Sequence, residues 1–554
     1  MNSNEEEHKY LQLSDEYASI ETSSINKLTL DEVFELAGGM GLYQWGVFAL
    51  VGILSVFSAE AISMNFIGGS QDHWCMIPAL ANISHEQQKF IAVPTDSDGA
   101  YEKCLMYQLD YSQYTLEDFL NWNRSVEIGS ETTECNHGWV FDQSTYVNTI
   151  ASRLDLVCHR SGLVPLISTL FMAGTFVGSI ASGILSDKYG RKKTLYAFVI
   201  LKLVTGLLNA YPFNYAWLAT TRLLMGVANA SVYLISFVYV LELCTTKMRA
   251  IVGVMGAIDF SLGFMLWPVL AYYIRDDFLL QLAGTLPLLV AISFWWLLDE
   301  SPRWLSLNGR SEEAEEVMRR ISVINNSPFP EDFVFDVASH QKENVPTIDD
   351  NKKTVLDLVK SPLMLKQSLI LVIFRLTDGL MYYALSLNTE SLSGSVYVNT
   401  VISGVVEIPA NIAAIFLLRW RVTGRRLTCS LSMIIAGLAS IVSIYMILRG
   451  YGLANTIFNM VAKCFVTIAF NSIFIYTAEL FPTEVRCIGA GVASSLSKMG
   501  SMAAPFFGKL LSVWPALPSV IYGSMALLSG LLILILPETR GRPLINTIKE
   551  ADAR

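Results

Sequence analysis

Glu242-Leu243-x-x-Thr246-x-x-Arg249 occurs a second time, 237 positions later (479 − 242 = 237), as Glu479-Leu480-x-x-Thr483-x-x-Arg486. Two weaker matches keep nearly the same offset: Gly190-Arg191-Lys192 with Gly424-Arg425-Arg426, and Glu300-Ser301-Pro302-Arg303 with Glu538-Thr539-Arg540. Three matches in the same order indicate a duplicated unit. Because duplicated halves of membrane proteins usually flank a central substrate site, the repeat predicts a transporter.

The composition of the chain is that of a membrane protein. Of its 554 residues 52% are hydrophobic and 16% are charged, and the mean hydropathy is +0.43, whereas soluble domains carry about 25% charged residues. A membrane-spanning helix needs about 20 mostly apolar residues. Twelve runs qualify, namely 43–66, 161–185, 194–212, 216–241, 250–273, 279–298, 365–387, 394–418, 427–448, 453–477, 488–511 and 517–536.

We therefore expect an all-α membrane protein with twelve transmembrane helices in two pseudo-symmetric six-helix bundles. The division is a tail (1–42), an N-terminal bundle (43–298) that includes a large loop (67–160), a linker with short helices (299–364), a C-terminal bundle (365–536) and a second tail (537–554). Ser311 is the predicted N-cap of a helix in the linker, because acidic residues follow it and basic residues come later.

Basic residues in short loops predict the orientation, since they accumulate on the cytoplasmic side. Here they lie on one side of the predicted spans: Lys188, Arg191, Lys192, Lys193, Lys247, Arg249, Arg419, Arg421, Arg425, Arg426, Arg486, Arg540 and Arg542. With twelve spans, both termini are expected in the cytoplasm. Residues 1–40 lack a basic start and an apolar region, so we expect no cleavable signal peptide.

The loop 67–160 has the features of an extracellular segment. It holds Cys75, Cys104, Cys135 and Cys158, and it carries glycosylation sequons at Asn82 and Asn123. An even number of cysteines in an oxidising compartment predicts two disulfides, for which three pairings are open.

Asp187-Lys188-Tyr189-Gly190-Arg191-Lys192 resembles the signature loop of the major facilitator superfamily. A closer resemblance, over most of the chain, is to the organic cation, organic anion and carnitine transporter family. It rests on Asp72-His73-Trp74-Cys75, Gly138-Trp139-Val140-Phe141-Asp142, Asp155-Leu156-Val157-Cys158, Glu300-Ser301-Pro302-Arg303-Trp304-Leu305, Thr477-Ala478-Glu479-Leu480-Phe481-Pro482-Thr483 and Leu536-Pro537-Glu538-Thr539. The resemblance implies alternating access without ATP hydrolysis and polyspecific binding in an aromatic cavity between the bundles.

The repeated motifs are interpreted as conformational elements. Glycine allows a tight turn, and bases beside it can pair with acids at helix ends and so hold or release one conformation. The expected gating residues are Asp187, Gly190, Arg191, Glu242, Arg249, Glu300, Arg303, Arg425, Glu479 and Arg486. Substitutions there should slow transport without changing the choice of substrate.

Lys498 is the most informative candidate for substrate binding, because an ionisable residue inside a span is functional by default. The matching family position resembles an acid in cation carriers and an arginine in anion and carnitine carriers. A cation here favours carboxylates or sulfonates and repels organic cations. The alternative is that Lys498 pairs with a buried acid or extends to the membrane interface.

Other charges point in both directions. Arg375 and Asp378 are three residues apart on one span and can neutralise each other, or Arg375 can attract anions. Glu407 resembles the pattern of cation carriers and can contact a quaternary ammonium, pair with Lys498 or Arg375, or gate a proton. Lys463 matches a lysine of anion carriers but can equally pair within its bundle. Glu60 is either a coupling-ion site or a residue near the interface, and Arg222 is interpreted as structural.

Aromatic residues complete the predicted cavity, where they can stack on flat ions or hold an ammonium by cation–π contact. They are Tyr233, Phe237, Tyr382, Tyr383, Phe470 and Phe474, which alternatively serve only packing.

These observations predict a polyspecific transporter of small organic ions that favours organic anions or carnitine-like zwitterions. The alternatives are a cation carrier that uses Asp378 and Glu407, and a non-transporting, receptor-like member of the fold. The expected partners are a small organic ion, the lipid bilayer, and a coupling ion or an exchanged counter-substrate. No P-loop and no His-Glu-x-x-His motif occurs, so no enzyme activity, cofactor, metal or nucleic acid is expected. The predicted location is the plasma membrane.

Overall fold

Twelve helical spans in two groups of six form the protein in a computed structural model. It describes residues 30–95, 99, 101–115, 117–118, 131–245, 247–327, 329, 361–482 and 485–541. Asn123, residues 1–29 and 542–554 of the tails, and residues 328 and 330–360 of the linker lie outside these residues. Spans 1 to 6 are Leu42–Ile67, Leu163–Tyr189, Arg191–Ala210, Tyr215–Glu242, Arg249–Tyr273 and Asp277–Trp296. Spans 7 to 10 are Pro362–Leu387, Val396–Arg419, Gly424–Leu448 and Gly452–Leu480.

Span 11 is interrupted, and span 12 is short. Span 11 consists of Arg486–Ala503 and Phe507–Val513, joined by a 3-10 turn that contains Pro505, and span 12 is Leu517–Ile533. Within the described residues, ten helices are long and apolar enough to cross a membrane. The predicted boundaries hold to within a few residues.

Small residues let helices approach closely in both halves. A Cβ on Gly174 of span 2 would lie 2.1 Å from the carbonyl oxygen of Leu223 in span 4. In the other half, a Cβ on Gly500 of span 11 would lie 2.1 Å from the carbonyl oxygen of Leu376 in span 7. Close backbone contact is how membrane helices gain packing energy where there is no water to exclude.

The loop after span 1 folds with two small sheets, which the sequence reading did not predict. Strand β1 (His73–Cys75) pairs with β4 (Trp139–Phe141), and β2 (Leu105–Tyr107) pairs with β3 (Thr132–Glu134), each antiparallel. The disulfides are Cys75–Cys135 and Cys104–Cys158, which selects one of the three possible pairings. Asn82 is exposed on this loop.

Asp72 ties the start of this loop together. Its carboxylate lies 2.9 Å from Nζ of Lys89 and 3.1 Å from Nζ of Lys103. Partial burial raises the pKa of Asp72, but the two ammonium groups lower it by more, so the pKa is below its ordinary value.

Two short helices of the linker pack beneath the N-terminal half. They are Pro302–Leu307 and Ser311–Ile324, and the helix Leu30–Leu36 lies beside them. Asn325 accepts a hydrogen bond from the Tyr43 amide at 2.9 Å and donates to the Ala37 carbonyl at 2.8 Å. The predicted N-cap was wrong by one residue. Arg310 holds that position and Ser311 is the first helical residue, because the chain turns at Gly309, which has a φ of +74°.

The two halves meet at one end of the spans. We call the end that carries the disulfides the loop end, and the end that carries Arg191 and Arg425 the basic end. Asn65 donates to the Ser386 carbonyl at 3.0 Å, Ser70 donates to Glu390 at 2.7 Å, and Thr169 donates to the Met502 carbonyl at 2.8 Å. These contacts lie at the loop end. This conformation is therefore closed at the loop end.

Candidate functional site

The basic end of the N-terminal half is built around Arg191. Its guanidinium lies 2.8 Å from Glu242 and 2.8 Å from Asp187. Glu300 accepts hydrogen bonds from the backbone amides of Arg191 at 2.7 Å and Lys192 at 3.0 Å. Gly190 has a φ of +101°, and a Cβ there would lie 2.4 Å from Glu300 Oε2. Glycine is therefore required both by conformation and by space.

The C-terminal half repeats this arrangement. Arg425 lies 3.1 Å from Glu479, and Glu538 accepts hydrogen bonds from the backbone amides of Arg425 at 2.9 Å and Arg426 at 3.0 Å. Gly424 has a φ of +59°, and a Cβ there would lie 2.7 Å from Glu538 Oε2. The sequence repeat is thus a repeat of one hydrogen-bonded cluster.

The halves differ at the last residue of the repeated motif. Asp31 pairs with both Arg249 and Arg303, and Arg303 also donates to the Glu242 carbonyl at 2.9 Å. The counterpart Arg486 has Nε and Nη2 buried without a hydrogen-bond partner in the described part of the chain. Within the described residues, this motif of the N-terminal half is fastened by Asp31 to the helix Leu30–Leu36, which precedes the spans.

A cavity of about 130 Å³ lies between the two halves. Spans 1, 2, 4 and 5 form one side of it, and spans 7, 8, 10 and 11 form the other. Its charged and aromatic lining residues are Phe171, Tyr233, Phe260, Tyr382, Tyr383, Glu407, Phe470 and Lys498. Six of these eight, all but Phe171 and Phe260, were predicted substrate-binding residues.

Lys498 presents a positive charge to this cavity. Its Nζ lies 5.9 Å from the centre of the Tyr383 ring. Within the described residues, Nζ has no carboxylate within ion-pair distance, which argues against the alternative that Lys498 pairs with a buried acid.

Glu407 is satisfied by its own half. Its carboxylate lies 2.8 Å from Nζ of Lys463 and accepts a hydrogen bond from the Tyr382 hydroxyl at 2.6 Å. Ser261 of the other half donates a further hydrogen bond at 3.1 Å. Glu407 was expected to pair with Lys498 or Arg375 as one of its alternatives. In this conformation its ion-pair partner is Lys463 instead.

Arg375 and Asp378 lie behind the cavity wall. Nη1 of Arg375 is 3.7 Å from Oδ2 of Asp378, and both side chains are almost fully buried. The guanidinium lies 4.2 Å from the centre of the Phe474 ring, and its Nε donates to the Ala493 carbonyl at 3.2 Å. This geometry corresponds to mutual neutralisation. Four of the predicted substrate-binding residues do not line the central cavity, namely Arg375, Asp378, Phe474 and Phe237. Phe237 lines a separate slot.

The N-terminal half contains a second buried charge network. Glu60 accepts a hydrogen bond from Gln281 at 3.0 Å and lies 3.7 Å from Nζ of Lys202. Gln281 in turn accepts from Arg222 at 3.3 Å, and Lys202 donates to Asn229 at 2.7 Å. Glu60 is thus in the core of its half rather than at the interface, and Arg222 bonds a neighbouring span, as its structural interpretation requires.

Lys202 and Asp259 are charged residues inside spans that were not among the sequence-based candidates. Lys202 joins the network around Glu60, and Asp259 lines the slot beside Phe237. Both interrupt apolar runs, so the rule that singled out Lys498 would also have found them.

Two six-helix halves around a charged, aromatic cavity are the architecture of a membrane transporter of the major facilitator fold. The family model "Sugar (and other) transporter" matches residues 115–550. The organic cation transporter protein of Drosophila melanogaster is 32% identical over 528 residues, which cover 94% of each chain. The human organic cation/carnitine transporter 2 is 32% identical over 529 residues, which cover 94% of this chain and 93% of that protein.

Among solved structures, the inward-open xylose transporter XylE from E. coli has the same fold. Its TM-score is 0.57 at 14% identity, and the match covers 94% of this chain and 99% of that one. The chain belongs to the organic cation/carnitine transporter family of the major facilitator superfamily. Its relatives and its fold are those of transporters, not of enzymes.

Proposed function

We propose that this transporter carries small organic ions with a carboxylate or similar anionic group, either organic anions or zwitterions, and that Lys498 selects them. The observation that carries the proposal is the difference between the cavity's two formal charges. Glu407 is balanced by Lys463 at 2.8 Å, whereas Lys498 faces the cavity with no ion-pair partner in the described residues. The net positive charge in a poorly hydrated space attracts an anionic group and repels a simple organic cation.

The remaining lining residues have supporting roles in this proposal. Tyr233, Tyr382, Tyr383 and Phe470 supply flat apolar walls that suit substrates of several shapes. Arg375 and Asp378 act from behind the wall by fixing span 7 against span 11. Phe237 and Phe474 lie outside the central cavity, so we do not propose that they contact the substrate there.

The alternative is a cation carrier, and its support comes from Glu407 and from the printed names of the relatives, which are organic cation and carnitine transporters. It requires the Glu407–Lys463 pair to open when the substrate binds. Asp378 is a weaker candidate for this role, because it does not line the cavity.

Uptake of three radiolabelled probes at clamped membrane potential tests the proposal. The probes are hippurate (an aryl carboxylate), carnitine and tetraethylammonium, and the variant is Lys498→Gln. The proposal expects loss of hippurate uptake with tetraethylammonium uptake unchanged or raised. Lys366→Gln is the control, because Lys366 is exposed at the basic end of span 7. Hippurate uptake that is equal in wild type and Lys498→Gln would contradict the assignment.

We further propose that the basic end faces the cytoplasm of the plasma membrane, together with both termini, and that the glycan is on the loop side. The support is the set of basic residues at one end and the disulfides at the other. Asn82→Gln should remove a glycosidase-sensitive mass shift. A shift that persists after removal of both the Asn82 and Asn123 sequons would contradict this orientation.

Transport is proposed to use a gradient or an exchanged counter-substrate, and Glu60 is the candidate for the coupling group. It is buried with Lys202 nearby, and it lies in the half that does not contain Lys498. In vesicles with imposed sodium or proton gradients, Glu60→Gln should reduce gradient-driven accumulation while exchange persists. Equal loss of both modes would make Glu60 a structural residue.

A further inference from the structure

Asp259 is a carboxylate inside span 5 that neither the gating clusters nor the central cavity accounts for. Within the described residues it has no hydrogen bond and no ion pair. A charge held at membrane depth is costly, so an acid without a partner there marks a functional site.

The surroundings of Asp259 form a small slot between spans 1, 4 and 5 of the N-terminal half. The slot has a volume of about 20 Å³, and its walls include the rings of Phe48, Tyr233 and Phe237. Gly52 leaves room for the acid, because a Cβ at this position would already lie 3.2 Å from Oδ2 of Asp259.

Ser236 gives an independent indication that a ligand enters the slot. Its side chain lines the slot and is 1% exposed, and its Oγ has no hydrogen-bond partner in the described part of the chain. A buried hydroxyl without a partner costs free energy unless a ligand or a water satisfies it.

The slot is a neighbour of the central cavity, and the two share one lining residue. Tyr233 lines both spaces, and Ala257 and Phe260, on either side of Asp259 in the sequence, line the cavity. A substrate that occupied both spaces would place one end at Asp259 and its other end near Lys498.

We propose that this slot binds the primary ammonium group of a substrate. About 20 Å³ admits one water-sized group, which needs roughly 10–15 Å³, and an ammonium group has that size. Its three N–H donors match the Asp259 carboxylate and the Ser236 hydroxyl, and its charge suits the aromatic walls. A trimethylammonium group has no N–H donor and is too large for the slot.

This inference rests on the proposed function in one respect, the role of Lys498 as the group that binds a carboxylate. A substrate with a primary amine at one end and a carboxylate at the other would engage Asp259 and Lys498 together. The amine slot itself does not require Lys498. Its test therefore includes an amine that lacks a carboxylate.

The experiment measures competition against radiolabelled 6-aminohexanoate bound to the purified full-length protein. The competitors are 6-aminohexanoate, its N-trimethyl analogue, hexanoate and hexylamine. In wild type we expect both primary amines to bind at least about tenfold more tightly than the trimethyl analogue, the effect of a charged hydrogen bond. In Asp259→Asn the two amines should lose about that factor, while hexanoate keeps its affinity.

Ser236→Ala should weaken the two amines by a smaller factor, and Glu102→Gln, which removes an exposed acid of the loop, should change nothing. If Asp259→Asn does not fold, Gly52→Ala replaces it, because its new Cβ presses on the carboxylate. The slot is overturned if the trimethyl analogue binds as tightly as the primary amines, or if Asp259→Asn weakens hexanoate as much as hexylamine. The amine slot is also overturned if neither primary amine competes with the radiolabelled probe. The same holds if Asp259→Asn abolishes only the dependence of binding on sodium or protons.

Lys498→Gln separates this proposal from the proposed function. If hexanoate binding is unchanged in Lys498→Gln while hexylamine still depends on Asp259, the anion assignment fails and the amine slot stands. If hexanoate depends on Lys498 but hexylamine does not depend on Asp259, the slot fails and the anion assignment stands.

Discussion

Gly190→Ala is the sharpest perturbation of the basic-end cluster. The backbone at Gly190 has φ 101° and ψ 160°, a region that only glycine occupies without strain. The added Cβ would lie 2.4 Å from Oε2 of Glu300, whose other oxygen accepts three backbone hydrogen bonds, from Arg191, Lys192 and Ser301. The substitution therefore strains the turn and pushes the carboxylate away from its donors.

The expected magnitude follows from these two effects. Strained backbone costs about 1–3 kcal/mol, and one charged hydrogen bond contributes about 1.5–3 kcal/mol. If the carboxylate loses one of its three bonds, the two effects together cost about 3 kcal/mol, near the lower end of their summed range, in the conformation described here. A change of that size shifts a conformational equilibrium by about 150-fold.

The assay is the initial rate of uptake per protein at the cell surface, measured together with equilibrium binding of the same probes. We expect the uptake rate of Gly190→Ala to fall at least about tenfold, with the ratio of hippurate to tetraethylammonium uptake unchanged. Gly183→Ala is the matched control, because a Cβ at this position of the same span meets nothing within 4 Å. Equal rates for the two variants, or a changed substrate ratio in Gly190→Ala alone, would refute the separation of gating from selection.

Further substitutions test other parts of the structure. Gly424→Ala should also slow uptake, because its Cβ would lie 2.7 Å from Oε2 of Glu538; a wild-type rate would contradict the functional equivalence of the halves. Glu407→Gln should lower thermal stability by about 3–5 kcal/mol, since it leaves Lys463 buried without a counter-charge; adding Lys463→Gln should restore part of the loss, and no restoration would contradict the pair. Cys75→Ser should cost about 2–5 kcal/mol of loop stability, seen as less protein at the cell surface; normal surface amounts and protease resistance would argue against it. Because the pKa of Asp72 is lowered, its carboxylate should stabilise the loop until the pH falls to the ordinary pKa of an aspartate, and this stabilisation should disappear below that pH. Hydrogen exchange of the loop amides at stepped pH measures the stability of the loop. A loop that is already destabilised near neutral pH would contradict the role of Asp72.

The sequence was sufficient for the fold because lipid imposes a strong constraint on it. Each span must satisfy its backbone as a helix and must be long enough to cross the bilayer, so hydropathy gives the number of spans directly. The short strands around Cys75 and Cys135 were not predictable in the same way. They are three residues long, and the disulfides and partner strands that hold them are distant in sequence.

The site was only partly predictable, because ionisable residues in spans are easy to find but hard to pair from sequence. Proximity along one helix pointed to the pairing of Arg375 with Asp378, three residues away. The partner of Glu407 is Lys463, which lies two spans further along the chain, and only the packing of spans 8 and 10 brings them together. Asp259 was passed over because no family motif drew attention to it.

We distinguish residues for conformational change from residues for substrate selection. The ion-pair clusters at Arg191 and Arg425 are similar in the two halves, so we assign them to the conformational change in which both halves take part. The charges that face the cavity, Glu407 and Lys498, both belong to the C-terminal half, whereas Asp259 lines a slot within the N-terminal half. Conformational change is assigned to the repeated clusters and selection to the residues that are not repeated.

Charge reversal at Lys498 tests the central claim most directly. The measurement is the ratio of hippurate to tetraethylammonium uptake in Lys498→Asp, compared with Lys498→Arg, which keeps the charge. The account predicts that the ratio falls at least about tenfold in Lys498→Asp and stays near the wild-type value in Lys498→Arg. An unchanged ratio in Lys498→Asp, at normal surface abundance, would contradict the claim that this lysine selects the substrate.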